Sequence, residues 1–173
     1  MSSFLMRKAV PADEHSLWEM LYYAASMEEA AGFSLATAVA QAQTNPDLYS
    51  YVGGWGRPGD VGMVATKNGP DRSRIIGAAW VRLSDGTLTG FGHATDTVPE
   101  LAIGIDPAFR GQGIGTALLT ELKTAVDGQF EQIILTVREH NPAKRLYERM
   151  GFAVVGEVVN RVGTKSFAMV WDL

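Results

Sequence analysis

The chain of 173 residues contains no cysteine. That excludes a disulfide framework, a thiolate nucleophile and a cysteine-ligated metal. It fits a cytoplasmic protein without requiring one, and cytoplasmic is the expected location. No run of Lys or Arg occurs. Fifteen basic residues stand against nineteen acidic ones, a formal net charge of -4, so nucleic acid is not an expected partner. The three histidines, His15, His93 and His140, are scattered without ligand spacing, and no metal is expected. No apolar run approaches the ~18 residues of a membrane span. The start, MSSFLMRKAV, lacks the apolar stretch of an export signal, so no membrane is an expected partner. Repeats, low-complexity segments and linkers are also missing. What remains is ordinary globular composition, 46% hydrophobic and 20% charged, long enough for one domain over residues 1–173 with a sizeable core.

Hydrophobic spacing outlines the elements. Residues 3–10 read as a strand, and Pro11 and Asp13 open a helix to about Ala25, with Leu17, Trp18, Leu21, Ala24 and Ala25 on one face. Ser34 caps a second helix to Gln43, which Asn45-Pro46 ends. YVGGWGRPGD reads as loop. Val61–Thr66 and Arg74–Leu83 read as paired strands around the turn KNGPD, and residues 84–98 as a long polar loop. ELAIGIDP is a buried strand whose Gly104 signals a bulge or a close backbone approach. A helix then runs to about Val126, QIILTV is a strand, and Pro142 opens a short helix that Gly151 stops. Two strands, 152–159 and 165–172, close the chain. The expected order is βααβββαβαββ, an α/β (α+β) fold.

The segment FRGQGIGTALL, residues 109–119, places three glycines at alternate positions behind Arg110. Glycines there strip side chains from a turn and let backbone N–H groups face a ligand at a helix start, which describes a phosphate site. A dinucleotide fingerprint fails, because the last position counted from Gly111 is Thr116 and counting from Gly113 fails too. A Walker A loop fails for want of a lysine. The pattern R-x-x-G-x-G, Arg110 to Gly113 and Gly115, remains. The alternative is that the glycines serve only the turn and close helix packing.

ELAIGIDPAFRGQGIGTALL followed by HNPAKRLYERMGF resembles the GCN5-related N-acetyltransferase (GNAT) superfamily. The first stretch looks like its fourth strand and acyl-CoA pyrophosphate loop, the second like the N-x-A-x-x-L-Y-x-x-x-G-F segment after its fifth strand. The close resemblance covers about residues 97–152. It implies a mixed, mostly antiparallel sheet with helices on both faces, and acetyl-CoA as donor. It implies that the amides of Gly111, Gln112, Gly113, Ile114, Gly115 and Thr116 hold the CoA pyrophosphate, helped by the helix dipole and by Arg110. It implies that the pantetheine arm pairs with Ala102, Ile103, Gly104 and Ile105, where a bulged strand would leave backbone groups unpaired. Asn141 would contact the same arm and cap the helix opened by Pro142.

Glu100 stands where many family members place a base; the alternative is a carboxylate facing solvent. Asp96, Glu28 and Glu29 are reserves for that role, or for attracting a cationic substrate. Tyr147 matches the family tyrosine that protonates the CoA thiolate; the alternative is a ring packed beside Leu146 and Met150. Lys144 and Arg145 either reach CoA phosphates or stand in solvent. His93 is a candidate for the acceptor site, as are Trp18, Tyr22 and Tyr23, whose other role is core. The resemblance implies an N-acetyltransferase that moves acetyl to a small-molecule or peptide primary amine by direct attack in a ternary complex. A non-catalytic acyl-CoA-binding module is the rival, and a dinucleotide-dependent oxidoreductase a more distant one. A homodimer is a further expectation, with 165–172 as the edge offered for pairing.

Overall fold

A computed structural model describes residues 3–25, 34–70, 73–86 and 94–173. Phe4–Lys8 is β1 and Glu14–Ala24 is α1. Between them Asp13 accepts from the Val10 N–H at 2.8 Å and from both ends of the Arg7 guanidinium at 2.7 and 2.8 Å. Ser34 caps α2, Leu35–Thr44, by accepting from Thr37 N–H. Asn45-Pro46 ends that helix as expected, but the same pair starts another, α3 over Pro46–Val52. The Asn45 side chain accepts from Asp47 N–H, and Pro46 occupies the first turn, where its missing N–H costs nothing. Tyr51 and Val52 are therefore helical rather than loop, and the order gains a helix: βαααβββαβαββ.

The remaining elements are β2 (Val61–Lys67), β3 (Ile75–Arg82), β4 (Glu100–Ile105), α4 (Ile114–Val126), β5 (Gln132–Arg138), α5 (Ala143–Met150), β6 (Ala153–Val159) and β7 (Lys165–Asp172). They build one seven-stranded sheet in the order β1-β2-β3-β4-β5-β7-β6. Every neighbouring pair is antiparallel except β4–β5. One face carries α1, α2 and α3 over a core that includes Leu17, Trp18, Leu21, Val64 and Trp80. The other carries α4 and α5 over Leu118, Leu122, Ile133, Leu135 and Trp171. The expectation that 165–172 offers a free edge is wrong: β7 lies between β5 and β6, and β6 forms that edge, with Val154, Val155 and Val159 exposed. Strand order across a sheet is a long-range property that the two-residue period of a strand does not encode.

The β4–β5 pair is the irregular one. It is parallel and meets only at Glu100 opposite Ile134. Beyond that point β4 stays in register with β3 to Ile105, and β5 stays in register with β7 to Arg138. The two strands part, and no bulge in β4 is involved. Gly104 has the other role expected for it. It lies under α1, and a Cβ there would collide with the Met20 carbonyl oxygen.

Gly104→Ala must therefore lift α1 from the strand. The expected cost is that of an overpacked core, about 1–3 kcal/mol, read in a thermal melt as a fall of roughly 2–12 °C. An unchanged melting temperature would contradict the close approach.

Candidate active site

The parting of β4 and β5 opens the middle of the sheet, and α5 supplies a wall. A groove of about 680 Å³ runs past Ile103, Gly104, Ile105, Arg110, Asn141 and Tyr147. A smaller cavity of about 120 Å³ adjoins it, lined by Tyr51, Glu100, Arg138, Asn141, Tyr147 and Arg161 among others. Asn141 and Tyr147 belong to both. Glu100 also lines a third hollow of about 150 Å³ with Tyr49, Tyr51, Arg57 and Arg82.

The glycine segment follows β4 directly. Asp106 accepts from Ala108 N–H at 3.0 Å and pairs with Arg74 at 2.6 Å, which fixes the turn leaving the strand. Gly111 and Gly113 have φ of 75° and 81°, the left-handed region that side chains disfavour, and a Cβ on either would meet open space. Gly113 is the N-cap of α4 and supplies no side-chain cap. Bonding of α4 begins with Ala117 N–H to the Gly113 carbonyl at 3.1 Å; the amides of residues 111–116 find no acceptor among the described residues. Six backbone donors thus stand without a partner among the described residues at a positive helix end. Gly115 has a different reason to be glycine. A Cβ there would press on Leu146 and Ile105, so the missing side chain lets α4 pack against α5. The Ile114 side chain is core, leaving only its amide for a ligand. Arg110 donates from Nε to the Ile105 carbonyl at 3.2 Å, tying the loop to the open end of β4.

Just ahead of α5, Asn141 Oδ1 accepts from Ala143 N–H at 2.9 Å, the expected capping contact. Tyr147 is 7% exposed and meets Phe152 edge-on at 5.7 Å. Its hydroxyl has no hydrogen-bond partner among the described residues, and burial pushes its pKa well above the usual tyrosine value. The phenol is a neutral donor throughout the working pH range.

Glu100 is 6% exposed at the start of β4, and its Oε1 accepts the Tyr51 hydroxyl at 2.7 Å. The carboxylate is thus held inside, not at a solvent-facing strand entrance. Tyr51 and its support escaped the sequence reading. Trp80 Nε1 donates to the Tyr51 carbonyl at 2.9 Å. Arg82 is buried; it donates to the Gly53 carbonyl at 2.9 Å and pairs with buried Asp60 through Nε and Nη2 at 2.9 and 2.7 Å. These bonds hold the end of α3 and hence the phenol on Glu100. The one available signal was Asn45-Pro46, an N-cap followed by a first-turn proline.

Other candidates separate clearly. Asp96 is exposed and lines none of these cavities. Glu28, Glu29 and His93 lie outside the described residues. Trp18 and Tyr22 are core, while Tyr23 lines the groove. Lys144 pairs with Glu148 at 2.6 Å, and Arg145 is exposed. His15 is exposed beside Glu19, and His140 lies on the groove beside Glu139. No group of three potential metal ligands occurs among the described residues, and none of their helices is long and apolar enough to cross a membrane.

Known proteins share this fold. The family model described as "Acetyltransferase (GNAT) domain" matches residues 74–173. The mycothiol acetyltransferase of Streptosporangium roseum is 37% identical over 84 residues, 46% of this chain but only 23% of that protein. This chain thus matches a small part of a much longer relative. A phosphinothricin acetyltransferase from Sinorhizobium meliloti, solved with AcCoA, superposes with a TM-score of 0.63 at 23% identity, covering 99% of this chain and 89% of the other. A chimera of spermidine N-acetyltransferase from Vibrio cholerae superposes with a TM-score of 0.61 at 18% identity, covering 99% and 96%. The family match spans the parted strands, the glycine segment and α5, and with it the chain belongs to the GNAT acetyltransferase family.

Proposed function

We propose that residues 1–173 act as one acetyltransferase domain that moves an acetyl group from acetyl-CoA to a primary amine, by direct attack in a ternary complex. The observation that carries this reading is the Tyr147 hydroxyl. A buried hydroxyl without a partner costs about 1–3 kcal/mol, and a packing role would be met as well by phenylalanine. Its place on the wall between groove and cavity suits a proton donor to a leaving group that arrives from the groove.

The residues present fit the donor. The amides of 111–116, without an acceptor among the described residues, match pyrophosphate oxygens, and the edge of β4 over Ala102–Ile105 that faces away from β3, where β5 no longer pairs with it, offers backbone groups to the amide-bearing pantetheine arm. The thioester supplies an activated acetyl carbon. Glu100 takes a proton from the acceptor ammonium, directly or through a water. The freed nitrogen lone pair forms the N–C bond, the C–S bond breaks toward sulfur, and Tyr147 gives its proton to that sulfur. The second proton that the nitrogen sheds on becoming an amide restores the phenol through water, and the proton on Glu100 leaves to solvent. The chain has no cysteine to carry the acetyl group between two half-reactions. Self-association is proposed through the β6 edge; a light-scattering mass of one chain at micromolar concentration would overturn it.

Gly113→Val places a β-branched residue at φ 81°, which costs about 1–2 kcal/mol or more. Acetyl-CoA affinity is expected to fall at least about tenfold while the thermal melt stays cooperative. Calorimetry showing unchanged affinity in the folded variant would remove the phosphate role of the segment.

Tyr147→Phe is expected to lower kcat by about 10²–10⁴-fold, toward the smaller end because a thiolate is a fair leaving group, with acetyl-CoA affinity preserved and stability equal to or above that of the wild type. Wild-type kcat in this variant would reduce Tyr147 to packing. Because burial raises its pKa, the phenol keeps its proton above the usual value of about 10. The kcat profile should then show no descending limb near pH 10 that belongs to Tyr147. Such a limb, present in the wild type and lost in the variant, would contradict the burial effect.

Turnover of at least one amine, read by thiol release with acetyl-CoA, tests the function as a whole. Acetyl-CoA binding without turnover across a broad amine panel would mean an acyl-CoA-binding module instead.

A further inference from the structure

The small cavity beside Glu100 also holds a cation, Arg161. Arg161 sits in the β6–β7 turn, half-buried, and its guanidinium makes no hydrogen bond or ion pair among the described residues. Burial and the neighbouring Arg138 disfavour its charge, against a weaker opposite pull from Asp47 and Tyr51. Arg138 lines the same cavity and donates from Nη2 to the Ala25 carbonyl at 3.3 Å.

The turn holding Arg161 is fastened. Asn160 Oδ1 accepts from the N–H groups of Val162 and Thr164, each at 3.1 Å. Its Nδ2 donates to Thr164 Oγ1 at 2.7 Å and to buried Ser166 Oγ at 3.0 Å. Gly163, at φ 80°, completes the reversal. A side chain mounted on a braced turn loses less freedom when it takes a ligand.

The lining is therefore bipolar, with a carboxylate at Glu100 and, at Arg161, a guanidinium that makes no hydrogen bond or ion pair among the described residues. We propose that the acceptor is a small amine that also bears an oxyanion, a carboxylate or a phosphonate, bound by Arg161 while its ammonium faces Glu100. This rests on the transferase reading above. The planar fork of an arginine matches such oxyanions through two parallel hydrogen bonds. A polyamine brings only positive charge to the half-buried Arg161, where repulsion is stronger than in water.

The test sets each common α-amino acid against its own carboxamide, 2-aminoethylphosphonate against ethanolamine, and adds spermidine. Calorimetry on the full chain with CoA present reads acceptor binding, and thiol release with acetyl-CoA reads turnover. At least one oxyanion-bearing amine should bind about tenfold or more tighter than its uncharged counterpart, and the two arms tell carboxylate from phosphonate. Arg161→Gln should erase that preference and Arg161→Lys restore part of it, with acetyl-CoA affinity unchanged in both. Equal binding of charged and uncharged members, tighter binding of spermidine, or a preference that survives Arg161→Gln overturns the proposal. Selective binding without any turnover would sustain the anion site and sink the transferase reading. Turnover without the preference would do the reverse.

Discussion

Strands β4 and β5, neighbours in the centre of the sheet, touch at Glu100 and Ile134 and then separate. Each is anchored on its far side, β4 to β3 and β5 to β7, so the gap cannot close without breaking a regular ladder. Backbone groups facing such a gap normally carry a cost of about 1–3 kcal/mol each when left dry and unpaired. The fold meets part of that demand with the Arg110 side chain, which covers the Ile105 carbonyl. The rest becomes a binding edge. The groove, the smaller cavity and the position of Tyr147 all follow from this separation.

The two ends of the opening are built by opposite means. On the side of the glycine segment, donors are left without partners among the described residues: the amides 111–116 and the Tyr147 hydroxyl. On the side of Glu100, polar groups are tightly answered. The carboxylate takes the Tyr51 phenol, Trp80 holds the Tyr51 backbone, and the Arg82–Asp60 pair fixes the end of α3. A buried ion pair adds little net stability. Its use here is to hold a short helix in one place, so that the phenol on Glu100 has a single geometry. Open donors suit a ligand that brings its own oxygens, and a braced carboxylate suits a group that must receive a proton at a defined point.

Local chemistry was legible in the sequence wherever it depended on neighbours along the chain. Ser34 as a cap, the glycine turn before α4, Asn141 bonding to the first turn of α5 and Gly151 ending it all follow from short spacing. Gly104 was readable as a close approach, though the partner, α1, was not. Features set by distant pairing were hidden. The parting of β4 from β5, the internal place of β7, and the contact of Tyr51 with Glu100 across 49 residues need the folded sheet. Gly115 shows the limit within a motif. It fits the phosphate pattern, yet its missing side chain serves the packing of α4 on α5, a distinction that spacing alone cannot draw.

The central claim is that one open strand edge and one uncapped helix start receive the same donor molecule. Amide hydrogen exchange with and without acetyl-CoA tests it at single residues. The account predicts slowed exchange in two separate stretches on saturation, residues 102–105 of β4 and residues 111–116 before and within the first turn of α4, with little change in β1 or β2. Saturating acetyl-CoA that protects neither stretch, or protects only surfaces away from the parted strands, would contradict it.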